Sequence, residues 1–448
     1  MESVVIYLLR LRNHLLTSVV LILCAGTSMA PGFQKPGSVA PNTKGQPSAT
    51  AQSADNLRKQ AQQAIERKDC PAAIDRLKKI IALEPQDAVA WFNLGNCYAL
   101  TNEREAAITS FKEAIRVEPE LYEAVANLGL LLTRENEYEK ALPYLEHAIR
   151  RESKNFSLRL AAGVCLFNLQ RYPEAILQYE AAVALRPSEV EVQAQLAQTY
   201  LKNRNVDEAK STLEKILSLD PKNENAELGL ANIALESNQT VEAMKHLRAI
   251  LAVHPDNLDV REQVATLLME QKQYADAVSE LEMIRSVDAK RTTATIKLAH
   301  AYAELNQADK AIPLYTELLA KDPNNFDYRS NLGRLYLRLK DFPKAEAEFR
   351  AALALKPRDL ETAKNLASTF VLEENYPAAA NLLEQIVRLE GSSAGDHFFL
   401  AMCYDRMNQV EQAYTQYQKF LELDQGKNDI QDFQARQRMR ILEKRKKQ

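Results

Sequence analysis

The sequence predicts an all-α solenoid, a single array of helical hairpins stacked along the chain. Three observations lead there. The chain repeats with a fixed 34-residue period from Ala54 to Lys427, eleven units with no insertion or deletion. The twentieth residue of every unit is alanine: Ala73, Ala107, Ala141, Ala175, Ala209, Ala243, Ala277, Ala311, Ala345, Ala379 and Ala413. Helix breakers are sparse, with Gly 12 and Pro 17 in 448 residues, against 46% hydrophobic residues.

The elements are taken in chain order. Residues 1–30 carry Arg10 and Arg12, then an apolar run from Leu15 to Ala25, then small residues ending at Ala30. That order is the pattern of an export signal, and the run is short for a bilayer span. Extending it back to Val4 would put both arginines in the membrane. Pro31 after Ala30 is a poor cleavage context, so an uncleaved membrane anchor stands as the alternative. Leu23 before Cys24 argues against lipid attachment. Residues 31–53, rich in Pro, Gly, Ser, Ala, Thr and Gln with no apolar pattern, read as a disordered linker.

Within a unit, apolar residues recur at helical spacing in two runs, such as Trp91, Leu94 and Tyr98, then Ala107, Phe111 and Ala114, on either side of a polar "TNERE" turn. Each unit is therefore two antiparallel helices. Their backbones approach where side chains are small, which accounts for the alanine column and for Gly or Ala at the eighth position, as in Gly95, Gly129, Gly163, Ala197 and Gly333. Proline at the thirty-second position, as in Pro85, Pro119 and Pro323, ends the second helix. The junction "LEGSSAGD" before the last unit lacks that proline and is expected to be looser than the others. Residues 428–448 carry Ile430, Phe433 and Ile441 on a helix-forming background. They are expected to cap the last hairpin through these side chains, with the basic end frayed into solvent.

Trp91, Leu94, Gly95, Tyr98, Ala107, Phe111 and Pro119 stand in the order W-x2-L-G-x2-Y…A-x3-F…P, and this pattern resembles the tetratricopeptide repeat family. The resemblance spans residues 54–427. It implies a right-handed superhelical scaffold whose first helices line a concave face that binds peptides or proteins. The candidate contact residues on that face are Phe92, Asn93, Asn96, Asn127, Leu130 and Phe167 in an apolar, amide-flecked stretch, and His300, Asn331, Arg334, Arg338, Lys364 and Asn365 in a basic one. Trp91 is assigned to packing. The sixth-position asparagines Asn93, Asn127, Asn331 and Asn365 look like the asparagine ladder in the repeat domain of O-linked GlcNAc transferases, though they serve equally to bond within the scaffold. The basic stretch suits an acidic peptide or a C-terminal carboxylate, or is solvated charge. The Lys and Asn set of chaperone-tail clamps is matched in no three successive units. Phe398, Phe399 and Met402 are expected to seat the C-terminal helix or, alternatively, to form a partner pocket.

Charge and chemistry narrow the class further. The net charge is −3, and residues 436–448 carry a local +6, which leaves the rest at −9. An acidic body argues against a nucleic-acid groove. Cys70, Cys97, Cys165 and Cys403 lie far apart with no metal or redox spacing and read as buried free thiols. No G-x-x-x-x-G-K-[ST], G-x-G-x-x-G or H-E-x-x-H occurs. The G-x-S-x-G at 391–395 follows a helical run where a nucleophile elbow needs a strand. Glu242 with His246, and His300 with Glu304, read as pairs on a helix surface. No catalytic residue, cofactor or metal is expected. The expected function is a non-catalytic scaffold that binds extended protein segments and assembles or localises a bacterial envelope complex, periplasmic or secreted. The alternative is a non-catalytic subunit docking through its convex face and C-terminal helix. Membrane contact is expected only through the N-terminal segment, if uncleaved.

Overall fold

The computed structural model describes residues 49–389 and 393–446, and among these it holds 23 helices and no strand. They are eleven hairpins followed by one further helix, as the period requires. Repeat two pairs Ala88–Leu100 with Arg104–Val117, and repeat nine pairs Phe326–Arg338 with Phe342–Leu355. The chain divides into two compact units, one through His246 and one from Leu247. The expected export signal and most of the linker lie outside the described residues, as do residues 390–392 of the last junction. The first helix, Ala49–Glu66, starts inside the stretch expected to be disordered linker.

Each hairpin turns in the same way. The fifteenth residue of every repeat has a left-handed backbone, with φ between 56° and 66°, although none is glycine: Lys68, Asn102, Asn136, Gln170, Arg204, Asn238, Lys272, Asn306, Lys340, Glu374 and Asn408. Asparagine tolerates this conformation best among non-glycine residues and holds five of the eleven places. The following amide reaches back across the turn, as Glu103 N–H donates to the Tyr98 carbonyl at 2.8 Å and Gln273 N–H to that of Leu268 at 2.8 Å. That bond satisfies a carbonyl the helix end would otherwise leave open. At the other end, Asp87, Asn223, Asn257, Asn325 and Asp359 after a proline, and Asn155 after Ser153, cap the next first helix with their side chains.

The alanine column is the spine of the packing, and all eleven alanines have no exposed surface. The glycines opposite meet a different column from the one expected. A methyl group built on Gly95 would lie 2.7 Å from the Phe111 ring, one on Gly163 would lie 2.8 Å from that of Tyr179, and one on Gly333 2.6 Å from that of Phe349. These glycines therefore admit the large twenty-fourth residue, four places after the alanine.

The last helix, Asp429–Lys446, caps the array but not through the residues expected. Ala435 and Leu442 are fully buried and Met439 packs beside them, whereas Ile430, Phe433 and Ile441 are 72%, 64% and 40% exposed. Its basic end is not frayed, since Lys446 pairs with Glu411 at 2.5 Å and lies over the Tyr414 ring. Arg438 grips Asp405 through two nitrogens at 2.5 and 2.7 Å. The helix rests on Val410–Asp424. Phe398 is spent inside the last hairpin against Phe420 and Tyr417, at 5.2 and 5.7 Å, and Phe399 is 41% exposed. Of the expected seat, Phe398 is thus part of the hairpin core and Phe399 faces solvent.

Changing Gly333 to Ala should lower stability by about 1–3 kcal/mol, because the new methyl drives into a fully buried Phe349. The urea midpoint measures it, and pairing the change with Phe349→Leu should recover part of the loss.

Candidate partner-binding surfaces

The first unit buries all but Phe167 of the residues expected to line its groove. Phe92 is 1% exposed and packs on Phe111 with ring centroids 6.1 Å apart. Leu130 is buried too. Phe167 is half-buried, edge-on to Tyr172 at 5.7 Å. Asn93, Asn96 and Asn127 are each buried, and Asn127 Nδ2 donates to Asn96 Oδ1 at 2.8 Å. This hydrogen bond between side-chain amides joins repeats two and three. The physical reason is lateral. The first helix of repeat two lies against that of repeat three, Tyr122–Arg134, which lies against that of repeat four, Phe156–Asn168. A face that looks open on one isolated helix is closed by its neighbour.

The second unit keeps its candidates accessible. His300, Asn331, Arg334, Arg338, Lys364 and Asn365 sit on the first helices of repeats eight to ten, Thr292–Glu304, Phe326–Arg338 and Leu360–Leu372, and all are exposed or half-exposed. Their charges are unequally available. Lys364 is paired with buried Asp396 at 2.7 Å, and Arg338 donates to the Ala303 carbonyl at 2.7 Å and to Asn306 at 3.0 Å. His300 sits 3.7 Å from Glu304 and edge-on to Tyr274. Arg334 makes no ion pair among the described residues. In the preceding repeat, Glu262 is buried and accepts from Arg291 at 2.6 Å, Thr293 at 3.2 Å and Lys297 at 2.9 Å. Burial pushes its carboxyl up, but the bonds from Lys297, Thr293 and Arg291 prevail and hold it below the usual range.

Two further columns escaped the sequence reading. Residues four and twenty-three face one another across the hairpin in several repeats. Arg261 meets Glu280, Arg329 meets Glu348 at 3.0 Å, Arg159 meets Gln178 at 2.7 Å and Glu227 meets His246 at 2.5 Å. The donor in column four also reaches back to the junction carbonyl, as Arg159 does to Ser153, Gln193 to Pro187, Arg261 to Pro255 and Arg329 to Pro323. Trp91 occupies this place in repeat two and donates its indole N–H to the Pro85 carbonyl at 3.1 Å. It is half-buried, unlike the fully enclosed packing residue expected. Its partner in column twenty-three is the small Ser110, and the two line a shallow cleft of about 390 Å³ with Lys78, Ile81, Leu94 and Tyr98. The second new column ties successive repeats. Tyr200 donates to Glu180 at 2.5 Å, Tyr302 to Glu282 and Tyr404 to Glu384. Burial first, and the carboxylate second, push the Tyr302 and Tyr404 phenols up to about 12. Neither pairing runs through all repeats, since Tyr98 follows Lys78 and Tyr336 follows Thr316 in the second column.

Reactive chemistry is sparse on these surfaces. Cys70, Cys97, Cys165 and Cys403 are buried free thiols, and burial pushes Cys165 up to about 11 and Cys403 up to about 12. His246 lies between Glu227 and Glu242, at 2.5 and 3.2 Å. Among the described residues no three His, Cys, Asp or Glu side chains stand together as metal ligands. No described helix is long and apolar enough to cross a membrane.

Models of the tetratricopeptide repeat match residues 88–121, 126–190, 170–233, 200–267, 234–301, 296–359 and 400–424. The chain belongs to the tetratricopeptide repeat family, a class of scaffolds for protein and peptide binding. No curated protein matches it. Among solved structures it is similar to YrrB, described as a tetratricopeptide repeat protein with an unusual peptide-binding site, at 23% identity and a TM-score of 0.37 over 40% of this chain and 95% of that one. It is similar to MamA from Desulfovibrio magneticus RS-1, at 20% and 0.36 over 39% and 99%. A complex of Naa15 and Naa10 bound to HypK-THB is similar at 15% and 0.45 over 86% and 65%. Likenesses of this size carry no argument about ligand or partner.

Replacing Glu262 with Gln should cost about 1–3 kcal/mol, since it removes charge-assisted bonds from Arg291 and Lys297. The carboxyl titrates lower in the folded chain than in the unfolded one. Its contribution is therefore complete above the ordinary carboxylate range near 4.3 and is lost as pH falls through the lower folded value. Urea midpoints of the two proteins should differ at neutral pH and converge in acid.

Proposed function

We propose that the chain is a non-catalytic scaffold of a bacterial envelope that holds an extended, acidic segment of a protein partner along the first helices of repeats eight to ten. One observation carries this reading. Six candidate residues, His300, Asn331, Arg334, Arg338, Lys364 and Asn365, keep solvent access on three successive first helices, while Phe92, Asn93, Asn96, Asn127 and Leu130 of the first unit are buried. Arg334 and Arg338 stand one turn apart, and two guanidinium groups at that spacing suit successive carboxylates. Asn331 and Asn365 each offer a donor and an acceptor, which suits a peptide backbone whatever its side chains. Support for export comes from residues 1–30, where charge, apolar run and small residues follow in the order of a signal.

The test combines capture and localisation. Partners recovered with the intact protein should bind at least about tenfold more weakly after Arg334→Glu and Arg338→Glu, and binding should fall with added salt. Equal binding by the double variant overturns the site. A mature chain in the envelope fraction that begins at Pro31 supports export with cleavage, an intact Met1 in the membrane pellet supports the anchored form, and a cytosolic chain overturns both.

A further inference from the structure

The C-terminal helix presents an apolar stripe away from the array it caps. At 100° per residue, Ile430, Phe433, Gln437, Ile441 and Lys444 fall within an arc of about 80°. The buried side, Ala435, Met439 and Leu442, lies roughly opposite. Ile430 and Phe433, 72% and 64% exposed, are among the largest apolar side chains that the described chain leaves in solvent. A helix with apolar residues on two opposite faces has a second surface to cover.

Charge along the helix says which surface fits. Asp429 and Asp432 stand in the first turn and Lys444, Arg445 and Lys446 in the last, with Arg440 between. Gln437 lies midway between Phe433 and Ile441 and midway between Ile430 and Lys444. The stripe is thus symmetric about Gln437. Two such helices laid antiparallel, crossing at Gln437, put each Phe433 on the other's Ile441 and each Ile430 along the other's Lys444 methylenes. The same register brings Asp429 of each helix to Arg445 of the other, whereas Asp432 and Lys446 are held by Arg436 and Glu411 of their own chain. A parallel pairing would oppose acid to acid and base to base.

We propose that Asp429–Lys446 joins two copies of this chain in an antiparallel, two-fold pair centred on Gln437. A two-fold contact of this kind uses the same patch on both copies, so it closes at a dimer and leads to no filament. The helix is anchored to its own array by Arg438 on Asp405 and Lys446 on Glu411, so the stripe is offered in a fixed orientation. The inference concerns a different surface from the basic stretch of repeats eight to ten, and either stands if the other fails.

The experiment uses the full chain carrying Cys24→Ser; the thiols Cys70, Cys97, Cys165 and Cys403 are buried. Sedimentation velocity over a concentration series should show a reversible shift from monomer to dimer. Phe433→Glu should weaken the dimer at least tenfold with unchanged helical circular dichroism, as expected for a side chain already in solvent. Gln437→Cys, mildly oxidised with a copper–phenanthroline complex, should link two copies, the two thiols giving up two protons and two electrons to the oxidant. Lys444→Cys should link more slowly, because antiparallel pairing separates its two copies. A monomer at every concentration, a dimer indifferent to Phe433→Glu, faster linking at Lys444→Cys than at Gln437→Cys, or a stripe that binds anionic lipid vesicles while the chain stays monomeric would each overturn the proposal.

Discussion

The fold depends on one close approach, made eleven times. A fully buried alanine on the second helix of each hairpin lets it lie against the first, and any larger side chain there would have to push the helices apart. Where the first helix carries glycine at its eighth residue, an aromatic ring or a leucine from the second occupies the space. The period follows from this geometry. An inserted residue would rotate the alanine away from its partner by about 100° and remove it from the contact. Conserving the spacing is thus the same requirement as conserving the contact.

Around that fixed contact the other columns vary in pairs. Across the hairpin, Arg261 with Glu280 and Arg329 with Glu348 match by charge, Trp91 with Ser110 by size. Between repeats, tyrosine and glutamate do the same work at Tyr200, Tyr302 and Tyr404. Each repeat solves its own local problem without disturbing the next, which is how an array tolerates divergence everywhere except at the alanine.

The fold was legible because periodicity is a one-dimensional signal, and Ala73 through Ala413 state it without ambiguity. The surfaces were less so, for a reason the structure makes physical. A helical wheel drawn for Ala88–Leu100 alone places Phe92, Asn93 and Asn96 outward, and takes no account of the first helix of the next repeat, which lies against it. The same reading assigned Trp91 to packing because it shares a helical arc with Leu94, Gly95 and Tyr98, although its indole N–H has a carbonyl to reach at the junction. At the C-terminus, ranking by hydrophobicity selected Ile430, Phe433 and Ile441 for the interface. Close helix packing instead selected Ala435 for its small volume, and with it Leu442 two turns further on.

The left-handed turn residues have a consequence for how this array ages in sequence. Each of the eleven carries a modest conformational strain that glycine would relieve, yet glycine is absent from all of them. The turns are separated by whole hairpins, so changes at different turns act independently and their effects add. Stability of the array can therefore drift in small, reversible steps at these turns, except at Asn306 and Asn408, whose side chains accept from Arg338 and Arg445 at 3.0 and 3.5 Å. Recognition and robustness are thereby placed on largely different residues, and Asn306, which holds Arg338, is where the two meet.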